Sequence, residues 1–454
     1  MKNYDVVVIG GGIAGYSCAI RLAQKGYDVA LIEKHKLGGE CLNYGCIPTK
    51  AMHYVASILN RATKFLENDI KPDINKIISW RNRIINNLTS GIEYLLKSYG
   101  VEIIYDTAKL RKHNEVYTNN DVIRFKKLVI ATGTDPLSLK GLNFDNRYIL
   151  SNRDLVKLQD IPNSILIVGG GAIGVEYASI FAKLGTEVTL IELMPQLLPG
   201  MDSDLSRAVE RGLRNLGVKI MKETTIDKVE KRTDYVEVKL RNGNVLKVGC
   251  VAIAIGRKPN TTDLGLESLN VELDSKGYVK TDKYMQTTNP IIFAAGDVTG
   301  PPLLAHKALI QGVIVAENIH SSKSLVFNKN IIPTVIFSEP ELASIGLTTE
   351  QAKNSGVFYK NVKIPLTIVA RALIENGSRG FVKFVIGRNN EVLGAHMAGP
   401  HVSEVISAII PLFMKKLSIE EIALTPYPHP TISEVLREIS ELILGQPLHI
   451  FLRR

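Results

Sequence analysis

The chain contains an internal duplication, in which one pattern of strand, glycine turn, helix and second strand occurs twice. VVVIGGGIAG at 6–15 returns as ILIVGGGAIG at 165–174, and ALIEK at 30–34 returns as TLIEL at 189–193. Both repeats have the same offset of 159 residues. A β-branched strand, a turn of three glycines and an amphipathic helix make a βαβ unit. The duplication therefore predicts two Rossmann-like dinucleotide-binding folds of the α/β class.

Each repeat carries the spacing G-x-G-x-x-G and an acid 23 residues after its first glycine. The two sets are Gly10, Gly12, Gly15 and Glu33, then Gly169, Gly171, Gly174 and Glu192. The glycines allow a tight turn, close approach of a pyrophosphate and packing of helix on strand, while the acid can accept from a ribose 2′-hydroxyl. Tight turns alone would not require the matched acid. Two dinucleotide sites are therefore expected, with helices at Tyr16–Lys25 and Val175–Leu184.

The acid of the second repeat also bears on the choice of nucleotide. A carboxylate at Glu192 repels a 2′-phosphate, and the following Leu193, Met194 and Pro195 offer no cation to bind one. NAD is therefore favoured over NADP at this site.

Composition excludes several classes of protein. The net charge is +10 over 454 residues, but no run of five or six basic residues concentrates it, so nucleic-acid binding is not expected. The longest apolar runs have the length of strands, which predicts no membrane span. The N-terminus leads directly into a strand without a signal-like segment, so a cytoplasmic protein is expected. Four cysteines are too few for a disulfide-stapled fold: Cys18, Cys41, Cys46 and Cys250.

Two of these cysteines lie five residues apart in GGECLNYGCIPTK at 38–50. A continuous α-helix would hold Cys41 and Cys46 ~8–9 Å apart, beyond the ~7 Å limit for a disulfide, so a bridge requires an irregular turn. Gly45 and Pro48 permit such a turn. A structural cross-link is disfavoured in a reducing cytoplasm, and two core thiols are disfavoured in a glycine-flanked loop. A redox-active pair is the favoured hypothesis, with Cys18 and Cys250 as core or surface thiols.

Taken together, these motifs resemble those of the pyridine nucleotide-disulfide oxidoreductase family, over essentially the whole chain. The resemblance implies that the first unit binds FAD and the second binds NAD. IIFAAGDVTG at 291–300 matches the second flavin motif of the family, in which Asp297 bonds the ribitol, and LLAHKALIQG at 303–312 follows it. Further cofactor contacts are expected at Gly133, Gly256 and Ala305.

The resemblance also implies roles for the side chains around the cysteines. Cys41 would exchange with substrate, and Cys46 would lie against the flavin as a charge-transfer thiolate. Lys50 matches the lysine near flavin N5, and Glu176 matches the acid that pairs with it.

The segment PHPTISE at 428–434 resembles the catalytic segment of the family, with His429 as acid/base and Glu434 orienting it. The chemistry suits this pairing, because a histidine near Cys41 can take the thiol proton and a carboxylate stabilises the imidazolium. The resemblance further implies a homodimer in which His429 completes the site of the other subunit.

The duplication and the resemblance divide the chain into four segments. Residues 1–147 are the first part of the FAD-binding domain, 148–265 the NAD-binding domain, and 266–330 a return to the FAD-binding region. Residues 331–454 are an α+β interface domain that lacks a dinucleotide fingerprint and includes an apolar helix at about Ser403–Lys416.

Within the family, the chain most resembles the dihydrolipoamide dehydrogenase branch. It lacks the C-terminal cysteine pair of mercuric reductases and the basic residues that NADP-linked glutathione reductases carry after the second acid. The expected reaction oxidises dihydrolipoyl groups on an acyltransferase or a glycine-cleavage carrier protein, with formation of NADH. Four histidines have no metal-ligand spacing, so no metal is expected: His306, His320, His396 and His401.

Three residues depart from the pattern of the family in or near the expected substrate channel. Glu40 stands in place of the usual Thr, Tyr44 in place of a small aliphatic residue, and Tyr427 in place of a second histidine. They leave open a reductase of another low-molecular-weight disulfide or of quinones. The basic charge leaves a third hypothesis, a mainly structural subunit docked on an acyltransferase core.

Overall fold

The polypeptide forms two parallel α/β units followed by an antiparallel α+β domain. The computed structural model describes residues 2–63, 65–66, 72–111, 114–375, 380–415 and 417–452. The chain begins with β1 (Lys2–Ile9), α1 (Ile13–Gln24), β2 (Val29–Glu33), α2 (Gly39–Asn43), α3 (Cys46–Ala62), α4 (Ile74–Ser98), β3 (Glu102–Tyr105), β4 (Lys109–Arg111), β5 (Glu115–Tyr117), β6 (Val122–Ile130) and β7 (Thr134–Pro136).

The middle of the chain holds the second unit. It contains β8 (Ile149–Leu150), α5 (Asn152–Lys157), β9 (Ser164–Val168), α6 (Ala172–Lys183), β10 (Glu187–Ile191), α7 (Ser203–Asn215), β11 (Lys219–Met221), β12 (Ile226–Lys231), β13 (Val236–Leu240), β14 (Val245–Val248), β15 (Cys250–Ile253) and β16 (Arg257–Pro259).

The remainder returns to the first unit and then builds the C-terminal domain. It contains β17 (Ile292–Ala294), α8 (Ala305–His320), β18 (Thr334–Ile336), β19 (Leu342–Gly346), α9 (Thr349–Asn354), β20 (Phe358–Pro365), α10 (Ala370–Ile374), β21 (Phe381–Gly387), β22 (Val392–Ala398), α11 (Val402–Lys415), α12 (Ile419–Ala423) and α13 (Val435–Ile443).

The first sheet has the strand order β3-β2-β1-β6-β5-β4, and β17 pairs with the second half of β6. Strands β3, β2, β1, β6 and β17 are parallel. Val6 and Val8 pack with α1 and α8, whereas Val7 packs on the other face, against residues between Leu264 and Val279. Because both faces are covered, the strand is a continuous apolar run without alternation.

The second sheet has the order β11-β10-β9-β15-β8, and all its strands are parallel. An antiparallel sheet of β12, β13 and β14 extends this unit, and β7 pairs with β16 where the two units meet. The prediction of two parallel dinucleotide folds is therefore confirmed.

Both glycine turns enter their helices three residues earlier than predicted, at Ile13 and Ala172. The helices start earlier because the backbone of the third glycine of each motif closely approaches that of the first glycine, inside the first helical turn. A Cβ atom on Gly15 would lie 1.8 Å from the carbonyl oxygen of Gly10, and one on Gly174 would make the equivalent contact at 1.9 Å. The third glycine of each motif is thus helical, because only a residue without a side chain lets the helix pack against its own turn.

The C-terminal domain is an antiparallel sheet in the order β18-β19-β22-β21-β20, covered by α11 and α13. Its core includes Phe384, Ile406 and Ile439. The α+β prediction is confirmed. Helix α11 spans Val402–Lys415, one residue from the predicted bounds, and Lys416 lies outside the described residues.

A buried group of charges joins this domain to the second unit. Lys383 on β21 donates to Asp202 at 2.7 Å and to Asp204 at 2.8 Å, at the start of α7. His396 on β22 is fully buried, with Nδ1 2.8 Å from the hydroxyl of Ser344 and Nε2 4.0 Å from Asp202. The two domains are therefore held together by an almost fully buried ion pair between Lys383 and Asp202.

Lys383→Met should lower the free energy of unfolding by about 3 kcal/mol at pH 7, because it leaves the buried carboxylate of Asp202 without its lysine cation. Burial raises the pKa of Asp202, but the charge of His396 and the hydrogen bond from Lys383 bring it below its ordinary value; that of Asp204 is also lowered. Carboxyl pKa values that are lower in the folded than in the unfolded protein stabilise the fold above about pH 4. This stabilisation is lost as the pH falls below that value.

Urea unfolding at pH 7 and pH 3 measures the effect, and the difference between the variant and the original protein should shrink at pH 3. Lys219→Met provides the control, since its pair with Glu187 is exposed and should contribute less than about 1 kcal/mol. Equal stability of the two variants would contradict the assignment.

Candidate active site

A cleft lies between the first glycine turn, the cysteine segment and helix α6 of the second unit. Its cavity volume is about 240 Å³. Strands β1, β6 and β17 end beside it, as expected for the carboxyl edge of a parallel sheet. Eight of the predicted site residues line it: Gly12, Cys41, Cys46, Lys50, Gly133, Glu176, Asp297 and Ala305.

Both glycine turns have room for a phosphate. Gly12 and Gly171 are the N-caps of α1 and α6, and neither helix has a side-chain cap. A Cβ atom on Gly171 would meet nothing within 4 Å, and one on Gly12 would meet only the Cα of Gly39, at 3.8 Å. The first backbone N–H groups of two 12-residue helices therefore have space for an anion, which fits the pyrophosphate of a dinucleotide.

The acid of each motif is bound to its own glycine turn. Glu33 Oε2 accepts from the N–H of Gly11 at 2.7 Å, and Glu192 Oε2 accepts from the N–H of Gly170 at 2.5 Å. The other oxygen of each carboxylate accepts from the backbone N–H two residues later. Sequence reasoning missed this role of the acids in fixing the turn. Each oxygen keeps a second lone pair that a ribose hydroxyl can use.

Asp297 follows β17 and lines the cleft. The hydroxyl of Thr134 donates to it at 3.5 Å. Burial raises the pKa of Asp297, opposed by the positive charges of Lys307 and Arg257. A carboxylate with one long hydrogen bond fits a ligand rich in hydroxyl groups, such as a ribitol chain.

The two cysteines lie on different helices. Cys41 is in α2 and Cys46 begins α3, and the break between them at Gly45 has φ −120° and ψ −111°. The irregular turn that a bridge requires is therefore present. The thiols are unbridged, and both line the cleft.

The hydrogen bond between the thiols separates their acidities. Accepting it lowers the pKa of Cys46 to about 7, against the effect of burial and with help from the charge of Lys50. Donating it, together with burial, raises the pKa of Cys41. Cys46 also lies at the N-terminus of α3, where the helix dipole favours an anion. Cys46 is therefore the thiolate of the pair near neutral pH.

Lys50 and Glu176 pair across the cleft. Lys50 Nζ donates to the two carboxylate oxygens at 2.9 and 2.7 Å, and the N–H of Phe337 donates to Glu176 Oε1 at 3.0 Å. Lys50 Nζ also lies 4.9 Å from the centre of the Phe337 ring. The pair joins α3 of the first unit to α6 of the second.

His429 and Glu434 form a hydrogen-bonded dyad in the C-terminal domain. His429 Nδ1 is 2.9 Å from Glu434 Oε2, and the N–H of Thr431 donates to Glu434 Oε1 at 2.8 Å. Burial raises the pKa of Glu434, but these two hydrogen bonds bring it below its ordinary value. The His429 side chain is 73% exposed, and it does not line the cleft of its own chain within the described residues. The dyad thus presents its imidazole on the outside of the domain.

Two of the three departures from the family pattern lie at the cleft. Glu40 accepts hydrogen bonds from Asn152 and Arg153, and Tyr44 packs beside Arg153. Arg257 also approaches Glu40, at 3.2 Å. Sequence reasoning missed these three partners; one signal was available, since Arg257 directly follows the glycine after β15.

Tyr427, the third departure, packs against the core of the C-terminal domain. Cys18 and Cys250 are buried, which raises the pKa of both thiols, so they are core thiols. Across the described ranges, no group of three or more His, Cys, Asp or Glu side chains has a metal-binding arrangement. No helix in those ranges combines the length and hydropathy needed to cross a membrane.

Known proteins are similar to this chain over its full length. Residues 4–312 match the family model described as pyridine nucleotide-disulphide oxidoreductase, and residues 332–440 match its dimerisation domain. A dihydrolipoyl dehydrogenase of Thermus scotoductus is 36% identical over 100% of both chains. One from Geobacillus stearothermophilus is 36% identical over 98% of this chain and 97% of the relative.

Solved structures show the same fold. The HOCl-induced flavoprotein disulfide reductase RclA of Escherichia coli superposes with a TM-score of 0.89 at 28% identity, over 98% of this chain and 100% of its own. LpdA of Mycobacterium tuberculosis superposes with a TM-score of 0.90 at 25% identity, with the same coverage.

Gly171→Ala should weaken NAD binding without lowering the thermal midpoint, because its methyl group enters only the space for the phosphate. Gly174→Ala is the matched contrast, since its methyl group would meet backbone at 1.9 Å and should destabilise the second unit. Calorimetric titration with NAD and thermal unfolding measure the two effects. A Gly171 variant that binds NAD normally would contradict the placement of the pyrophosphate.

In the reduced protein, the alkylation rate with iodoacetamide should rise as the pH increases through about 7, because the thiolate of Cys46 appears above its pKa. Cys41→Ala removes the hydrogen bond that lowers this pKa, so the profile should move to higher pH. Cys18→Ala, at a buried thiol, should leave it unchanged. An unmoved profile in the Cys41 variant would show that the thiols are not coupled.

Proposed function

Because this chain belongs to the pyridine nucleotide-disulphide oxidoreductase family, we propose that it oxidises protein-bound dihydrolipoyl groups and reduces NAD. One observation chiefly supports it: Cys41 and Cys46 lie beside the Lys50–Glu176 pair, in a cleft lined by the first glycine turn and the start of α6. The full-length relatives that are called dihydrolipoyl dehydrogenases support this choice of substrate.

The reaction begins as thiol–disulfide exchange at an oxidised Cys41–Cys46 pair. One dihydrolipoyl thiolate attacks the Cys41 sulfur and displaces Cys46 as a thiolate. The second dihydrolipoyl thiol then attacks the mixed disulfide, which releases the lipoyl disulfide and leaves Cys41 reduced. Two electrons and two protons have then left the substrate. Cys46 is a good leaving group, because the charge of Lys50 and the N-terminus of α3 both stabilise its thiolate.

The remaining residues hold the cofactors that the family uses. FAD, when bound, would supply the two-electron redox chemistry that links the dithiol to NAD. Gly12 and Asp297 would hold its pyrophosphate and ribitol, and Gly171 and Glu192 would hold the pyrophosphate and a ribose hydroxyl of NAD at the second turn. Lys50 places a fixed positive charge in the cleft, held by Glu176.

The dimerisation domain indicates a homodimer. His429 is exposed and does not reach the cleft of its own chain, so His429 of the partner subunit would approach Cys41. Its Nε2 would take the proton from the attacking dihydrolipoyl thiol. Glu434 holds Nδ1 protonated and stabilises the imidazolium that results.

A second candidate is the reduction of another disulfide by NADH. Glu40 and Tyr44, which depart from the family pattern, contact the ion pairs around Cys41. The fold similarity to the disulfide reductase RclA favours the same alternative. Here the electrons would run from NADH to the Cys41–Cys46 disulfide and then to substrate.

Anaerobic titration of the purified protein with dihydrolipoamide, followed by absorbance, separates the two candidates. Dihydrolipoamide should reduce the protein and produce a long-wavelength band, and added NAD should then yield NADH. A protein that NADH reduces but dihydrolipoamide does not would support the second candidate.

His429→Gln should lower turnover by roughly 10²–10⁴-fold, the usual contribution of general acid–base catalysis. His449→Gln is its control, because His449 forms a similar pair with Glu438, with Nδ1 2.9 Å from Oε1. The control should keep its turnover to within about twofold, since the segment that resembles the family's catalytic segment includes His429 and not His449. Equal losses in both variants would reject the role of His429.

A further inference from the structure

Helix α5 holds both ends of the short helix that carries Cys41. Helix α2 has five residues and no side-chain cap, so it has little stability of its own. At one end, Glu40 accepts from Arg153 Nε and from Asn152 Nδ2, both at 2.8 Å. At the other end, the carbonyl of Tyr44 accepts from Asn152 at 3.2 Å, and its ring centre lies 5.5 Å from the Arg153 guanidinium. Cys41 lies between these two attachments.

Glu40 is a carboxylate shared by two guanidinium groups. Arg153 is 2.6 Å from Glu40 and 2.6 Å from Asp135, and Arg257 is 3.2 Å from Glu40. The Arg257 side chain is 8% exposed, and its hydrogen bonds go to neutral groups. Glu40 is its one carboxylate at ion-pair distance among the described residues. A neutral residue at position 40 would therefore leave a nearly buried cation without its counter-ion.

The helix that carries Cys46 is attached to the second unit at another place. Lys50 on α3 pairs with Glu176 on α6, whereas Glu40 on α2 pairs with residues of α5. The turn that joins α2 to α3 contains Gly45, which restrains the backbone least of all residues. The relative position of the two thiols therefore depends on separate attachments of their helices to the second unit.

We propose that Glu40 and Arg153 are positioning residues. With Tyr44 and Asn152 they form a clamp that holds the Cys41 thiol in place beside Cys46. The inference rests on the proposed function of the two cysteines as a redox pair. It explains why two departures from the family pattern occur together, because Glu40 and Tyr44 contact the same arginine.

A positioning role and a purely electrostatic role of Glu40 and Arg153 predict different results for two single variants. Glu40→Gln removes a negative charge, and Arg153→Met removes a positive one. An effect of charge alone would favour the Cys46 thiolate in the first variant and disfavour it in the second. Loss of the clamp would release Cys41 in both variants, so Cys46 would lose its hydrogen bond and hold its proton to higher pH in both.

The experiment is the pH dependence of alkylation of the reduced holoprotein by iodoacetamide. At pH 6 the thiolate-dependent rate should fall by roughly threefold or more in each single variant. The double variant should be no slower than the slower single variant, because a clamp is lost only once. Opposite shifts in the two variants, or effects that add in the double variant, would overturn the proposal. Arg153→Met alone tests it if Glu40→Gln does not fold.

Glu317→Gln is the matched control. Its side chain is 20% exposed, against 21% for Glu40, and it pairs with two cations, Arg21 and Lys25. It does not line the cleft, so its alkylation profile should match that of the original protein. A shift in this control as large as that of Glu40→Gln would overturn the proposal.

Equilibration of the original protein with dihydrolipoamide distinguishes a failure of the clamp proposal from a failure of the proposed function. If Cys41 and Cys46 do not interconvert between dithiol and disulfide, the proposed function fails. If they do, and Glu40→Gln keeps the original alkylation profile, only the clamp fails.

Discussion

The ion pair between Lys50 and Glu176 sets the placement of α3 against α6, on which the rest of the cleft depends. Helix α3 begins at Cys46, and α6 begins directly after the second glycine turn. The Glu176 side chain is 9% exposed, so removal of its cation would leave an almost buried carboxylate uncompensated. The backbone of Phe337 adds a third attachment from the segment after β18. One contact thus aligns the thiols with the start of the second unit.

The parallel units, and the glycine turn and the cysteines that line the cleft, were predictable because their determinants are local. A glycine such as Gly10, whose φ of +105° favours glycine, identifies its turn by residue type alone. A disulfide between cysteines at this spacing similarly requires an irregular turn, whatever residues surround it. The predicted start of each helix was wrong by three residues. The low helix propensity of glycine argues against Gly15 inside a helix, but the close packing of the helix against Gly10 requires a glycine at this position.

Partners distant in sequence could not be predicted from local patterns. Asn152, Arg153 and Arg257 reach Glu40 from segments more than a hundred residues away. No periodicity or motif in the chain connects them, and α5 is only six residues long. The buried ions around Lys383 are a similar case, since a lysine within an apolar strand gives no sign of which carboxylate it meets. Such contacts depend on how finished domains pack against each other.

The hydrogen bond from Gly170 to Glu192 constrains how nucleotide preference can evolve in this chain. A mutation that removes the acid to admit a 2′-phosphate would also release the backbone that we propose to hold the pyrophosphate. A single substitution at Glu192 would therefore weaken the binding of both NAD and NADP, and selection would not retain it. A gradual route begins at Leu193 and Met194, which are exposed beside the acid and can acquire a cation while the turn stays intact.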